Sequence, residues 1–115
     1  MIIAVNKTDL RLSLDLMLRE EPGINVLGTA SSPESMLRLI GAEESAILLL
    51  DWRLCKGPVE DVLKEIKEKY PGLKIILLGN RTSQEQLDSH FGADAYLQIG
   101  GAPQILRSTI KELVS

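Results

Sequence analysis

The chain predicts an α/β domain, a parallel sheet with helices on both faces, and two patterns carry that reading. First, five short apolar runs (Met1–Val5, Ile24–Ala30, Ala46–Leu50, Leu73–Leu78 and Ala95–Ile99) alternate with five longer segments of helical periodicity. Second, the run Ala46-Ile47-Leu48-Leu49-Leu50 is apolar at every position. A strand with no polar face is buried on both faces, as strands of parallel sheets are. Repeated strand–helix units over short loops then require right-handed crossovers.

The first strand, Met1–Val5, leads into a helix with Leu10, Leu14, Met17 and Leu18 on one stripe, for which Thr8 or Asp9 is the expected cap. Pro22-Gly23 stops that helix, and Ile24–Ala30 is the second strand. Ser32 as N-cap and Pro33 at the first helical position start the next helix. Its expected buried face is Met36, Leu37, Leu39 and Ile40, with Gly41 as the stop. Asp51 ends the third strand, and the loop Trp52–Pro58 precedes a helix over Val59–Tyr70, with Val62, Leu63 and Ile66 inward. After the fourth strand, Gly79-Asn80 is a stop, and Thr82 or Ser83 caps a short helix to about Phe91. The fifth strand, the Gly100-Gly101 turn and a helix over Pro103–Val114 complete the pattern, with Ile105, Leu106, Ile110 and Leu113 as its apolar stripe.

These 115 residues suit one domain, residues 1–115. Hydrophobic residues make up 44% and aromatics only 3%, so the core must be aliphatic. Thirteen basic and sixteen acidic residues leave a net charge of −3, which gives no electrostatic reason to expect a nucleic-acid or membrane partner. One cysteine, Cys55, forbids an intrachain disulfide. With no leader-like segment and no apolar run of membrane-spanning length, the expected location is cytoplasmic.

In open α/β sheets, sites form beyond the carboxyl ends of the strands. The residues so placed are Val5-Asn6-Lys7, Asp51–Gly57, Gly79-Asn80-Arg81 and Ile99-Gly100-Gly101. Asp51 is the only carboxylate directly at such a strand end, where a rigid strand can hold a nucleophile; alone it is equally well a loop cap. No Gly-x-Gly-x-x-Gly follows the first strand, which argues against dinucleotide binding. No Ser-His pair, second catalytic carboxylate or metal-spaced cluster stands out, so an independent enzyme is not expected.

Three segments carry a family resemblance. Ile47-Leu48-Leu49-Leu50-Asp51-Trp52-Arg53-Leu54 resembles the third strand, phospho-acceptor aspartate and following loop of the response-regulator receiver family. Phe91-Gly92-Ala93-Asp94-Ala95-Tyr96-Leu97 is similar to the family's entry into its fifth strand, and Glu21–Ala30 to its second-strand region. The resemblance covers essentially the whole chain. It implies the flavodoxin-like doubly wound fold in strand order 2-1-3-4-5, with Asp51 at the phospho-acceptor position.

The departures from the family's pattern matter as much. Where receivers carry two acidic residues that help hold Mg²⁺, this chain has Val5 and Asn6. Magnesium prefers hard oxygen ligands, so weak or absent Mg²⁺ binding, and no other cofactor, is expected. The family's Ser/Thr after strand four falls on Gly79, and its lysine after strand five on Ile99, or on Gln98 if the alignment slips by one. Asp51 and the strand-five aromatic, Tyr96, remain. Phosphoryl transfer rests on positioning and charge neutralisation, most of which is missing. A cation from Lys7, Arg53 or Lys56 is expected to pair with Asp51 in place of the metal.

The leading expectation is a degenerate receiver (a pseudo-receiver) of two-component, phosphorelay signalling, acting by protein–protein interaction. Its partner would be a histidine kinase, another receiver or an effector domain. Receivers often associate through helix four, strand five and helix five, so a weak homodimer is expected there. Two alternatives stand beside this: a receiver still phosphorylated on Asp51, and a small-ligand sensor using the strand-end crevice. Cys55 reads as packing, or as a thiol activated by adjacent Lys56. His90 reads as a surface residue, and Trp52 as a cover for the site or a packing residue.

Overall fold

The structure, a computed structural model, describes residues 1–42, 46–79 and 92–114. Its elements run β1 (Ile2–Ala4), α1 (Thr8–Arg19), β2 (Gly28–Ala30), α2 (Pro33–Ala42), β3 (Ile47–Asp51), a 3-10 turn (Trp52–Leu54), α3 (Val59–Lys69), β4 (Lys74–Gly79), β5 (Ala95–Gln98) and α4 (Pro103–Val114). All strand pairs are parallel, in the order β2-β1-β3-β4-β5. That is the expected flavodoxin-like order. The short helix expected from Thr82 or Ser83 to Phe91, and His90 with it, lies outside the described residues.

Alternation along the strands divides the core in two. Ile2, Ala4, Leu48, Leu50, Ile75 and Leu77 face α2 and α3, meeting Met36, Ile40, Leu63 and Ile66. Ile3, Val5, Ile47, Leu49, Ile76 and Leu78 face the other side, meeting Leu18 of α1 and Leu106 and Ile110 of α4. Because both faces of β3 are covered, all five of its residues are buried, Asp51 among them.

Several expectations are corrected. The cap of α1 is Lys7, which gives no side-chain cap bond, so neither Thr8 nor Asp9 caps it: both lie inside the helix. Asp9 instead sits in the first turn, where the helix dipole favours an acid. The second strand is shorter than expected, since β1 offers only three residues to pair with Gly28–Ala30. Gly41 lies within α2 and does not stop it. Leu37 and Ile105 sit at the margins of their stripes and are half exposed, at 50% and 55%. The expected cap of α2 holds: Ser32 Oγ accepts from the Ser35 amide at 3.2 Å.

Candidate functional site

Asp51 is the last residue of β3, opposite Leu78 of β4. Pairing with β4 carries the strand through Asp51, while pairing with β1 ends one residue earlier at Leu50, and the 3-10 turn Trp52–Leu54 follows directly. The carboxylate is fully buried, and Asp51 is the only polar residue buried in the core among the described residues. Oδ1 accepts from the Arg53 amide at 3.0 Å and from Arg53 Nε at 3.0 Å. Oδ2 accepts from Nη2 at 2.7 Å and Nε at 3.1 Å. One residue, two positions on, therefore binds both carboxylate oxygens by side chain and one by backbone. This forked geometry is the strong form of an Arg–carboxylate pair. The pair raises the Arg53 guanidinium above its usual range, chiefly through the hydrogen bonds and secondarily through charge, against the cost of burial.

Of the three expected cations, only Arg53 meets Asp51. Lys56 points to the other side of its loop and pairs with Glu34 of α2 at 2.8 Å, with both side chains mostly exposed. Lys7 is exposed and makes no ion pair among the described residues; it lines an open crevice with Asn6, Asp9, Arg53 and Ile99. Val5 is fully buried among apolar neighbours, and its carbonyl accepts from Arg11 Nη1 at 3.1 Å. Arg11 carried no sequence signal, since a helix-surface arginine is unremarkable until the strand end turns toward it.

Gly79 and Tyr96 meet. β4 and β5 pair so that Gly79 lies beside Gln98, and the Ile99 amide donates to the Gly79 carbonyl at 2.7 Å. The Tyr96 ring lies over the Gly79 Cα, and a Cβ built there would fall 2.7 Å from Tyr96 Cζ and into its hydroxyl. The phenol thus fills the space a side chain at position 79 would need. Tyr96 and Trp52 both pack on the α2–α3 side of the core, with Cys55.

Cys55 is not activated. Burial, and then the negative charge of Asp51, push its thiol up to about 11, and Lys56 points away to Glu34. Asp94 has a structural role that its motif alone did not disclose. It accepts from the Ile75 amide at 2.7 Å and from Lys67 Nζ, tying β5 to β4 and α3. Burial alone would raise the Asp94 carboxyl; the Lys67 and Ile75 hydrogen bonds outweigh it and hold the group below its usual value.

The residues present do not fit a Mg²⁺ ion. Val5 offers no side-chain oxygen, Asn6 is exposed, and both Asp51 oxygens are engaged by Arg53. Among the described residues, no three or more His, Cys, Asp or Glu side chains gather as ligands. No helix among them is long and apolar enough to cross a membrane.

No family model and no curated protein matches the chain. Solved structures do. RcsB from Salmonella enterica serovar Typhimurium, bound to promoter rprA in the presence of phosphomimetic BeF3-, superposes with a TM-score of 0.86 at 20% identity. That match covers 98% of this chain and 58% of the other, so this chain spans little more than half of that protein. The isolated REC domain of RcsB from the same organism, in the apo form, gives a TM-score of 0.87 at 21% identity, over 98% of this chain and 85% of the other. A CheY-like response regulator receiver domain protein from Methanospirillum hungatei JF-1 gives 0.79 at 27% identity, over 96% and 89%. By strand order, architecture and these neighbours, the chain is in fold a CheY-like receiver domain of the response-regulator kind.

Proposed function

We propose that this receiver domain is a pseudo-receiver of two-component, phosphorelay signalling, working through protein–protein contact without Mg²⁺-dependent phosphorylation. The observation that carries the reading is the Asp51–Arg53 clamp. A phospho-acceptor carboxylate needs one oxygen free to attack phosphorus and another to hold the metal. Here Arg53 takes both oxygens of a fully buried carboxylate. Withdrawing Arg53 would leave a buried charge without compensation, so the clamp opposes its own opening. The Tyr96 ring over Gly79 supports the same reading, because it fills the space that a Ser or Thr side chain, the one the family resemblance implies at this position, would need.

On this reading the domain is not an enzyme. Its partners are a histidine kinase, another receiver or an effector domain, met in the cytoplasm. Acetyl phosphate with Mg²⁺ tests it. Intact-mass measurement should find no aspartyl-phosphate adduct, while Mg²⁺ titrated by calorimetry should give no saturable heat below millimolar concentration. A stoichiometric adduct on Asp51, or sub-millimolar Mg²⁺ binding lost in Asp51→Asn, would instead establish an ordinary phosphorylatable receiver.

A further inference from the structure

An apolar cavity of about 330 Å³ lies on the α1–α4 side of the sheet, beyond Asp51's own site. Leu10, Leu14 and Met17 of α1 form one wall, and Leu78, Leu97 and Leu106 form the floor and the facing wall. The space exists because small residues border it. Ser13, an exposed α1 residue, is part of its lining, and Gly100, Gly101 and Ala102 supply no long side chain on the other side. Gly100 holds a left-handed φ of 83°, a turn that glycine adopts without strain. Small-molecule sites begin near this volume and share this character, an apolar lining with a few polar groups at one end.

The polar end is the strand-end crevice. It shares Leu10, Ile99 and Gly100 with the cavity, so the two spaces adjoin. The crevice holds three charged side chains: Lys7, Asp9 and Arg53. Arg53 is neutralised by Asp51, and Asp9 sits in the first turn of α1, where the helix dipole offsets it. Lys7, with no ion pair among the described residues, is left as the crevice's uncompensated cation.

We propose that this cavity binds a small amphipathic carboxylate, its apolar body between α1 and α4 and its anionic end at Lys7. At the packing density of protein interiors, the cavity accepts a body of about twelve non-hydrogen atoms. A bound molecule bridges α1 to the β5–α4 turn, and occupancy stabilises the folded state by mass action.

Octanoate is the probe, read by methyl NMR on the full chain. Saturable shifts are expected at Leu14, Leu97 and Leu106, with none at Leu12 and Leu16, which lie on the exposed face of α1. Ser13→Phe, which adds bulk to a lining position, should abolish them, and Lys7→Ala should weaken binding about threefold, the scale of one exposed charge. If Ser13→Phe does not fold, Ala102→Leu at the mouth replaces it. The proposal is overturned by an absence of saturable shifts, by equal shifts at Leu12 and Leu16, or by octanoate binding unchanged in a folded cavity-filling variant. Because the readout involves neither Mg²⁺ nor a phosphate donor, its failure leaves the pseudo-receiver reading where it stands.

Discussion

Arg53 does for Asp51 what a divalent ion does in an acidic site: it neutralises a carboxylate held in a dry strand end. The difference is that the charge is covalently part of the next turn and cannot exchange. Arg53→Ala removes three of the four contacts on the carboxylate and leaves the backbone amide. Urea unfolding should show a loss of roughly 3 kcal/mol, the low end for breaking a buried pair, because Arg53 itself is partly exposed. Arg53→Lys should recover only part of it, since an ammonium lacks the planar fork. Gly79 is constrained by its neighbour and not by its own backbone. Gly79→Ser should displace the Tyr96 ring at a cost of about 1–3 kcal/mol, and adding Tyr96→Ala should return most of that cost. Cys55, with its thiol pushed up to about 11, should resist iodoacetamide in the folded protein at pH 7, where only about one thiol in ten thousand is ionised.

At the level of elements, Asp94 joins three of them. Its carboxylate satisfies the Ile75 amide at the second residue of β4 and pairs with Lys67 near the end of α3, while its own amide donates to the Ile75 carbonyl at 2.9 Å. The entry into β5 is therefore fixed before strand pairing begins. The folded Asp94 carboxyl titrates below its ordinary 3.8, so acid protonates the unfolded chain first. Its contribution is thus complete above pH 3.8 and fades as pH falls through the folded value. Asp94→Asn should cost about 2 kcal/mol at neutral pH and flatten the stability profile below pH 4, measured by urea unfolding across that range. α4 is anchored differently: Arg107 and Lys111 both reach Glu21, beyond the end of α1, at 3.2 and 3.4 Å. These are more exposed pairs, and they orient the helix more than they stabilise it.

At the scale of the molecule, the sheet has two edges, β2 and β5, and the β5 side carries the unfilled features. Ile105 is half exposed at the start of α4, and all four β5 residues retain some exposure. The expected homodimer face comprises β5, α4 and the helix before β5, which lies outside the described residues; a weak dimer there should appear as a concentration-dependent sedimentation coefficient, reduced in Ile105→Glu. A strictly monomeric profile at high concentration would leave that face to another partner. Stability should be indifferent to Mg²⁺: thermal melts with millimolar Mg²⁺ and with chelator should coincide, because the described residues gather no ligand set for the ion.

The sequence by itself determined the α/β class, the five strands and the place of Asp51. These follow from local patterns: runs apolar on both faces, helical stripes, and Ser32-Pro33 as a start signal. The family resemblance supplied the strand order, and the absence of acids at Val5 and Asn6 was legible directly. Contacts were not. Lys7, Arg53 and Lys56 were equal candidates for Asp51, since loop proximity says nothing of direction. The 3-10 turn aims Arg53 inward and sends Lys56 to Glu34. Adjacency to Lys56 leaves activation of Cys55 open in the sequence, whereas burial and the Asp51 charge set the opposite sign. Tyr96 over Gly79, Asp94 on Ile75, and the cavity between α1 and α4 each join residues far apart in the chain. Periodicity encodes which face a residue takes; which neighbour it meets there is decided only when the sheet closes and the helices pack.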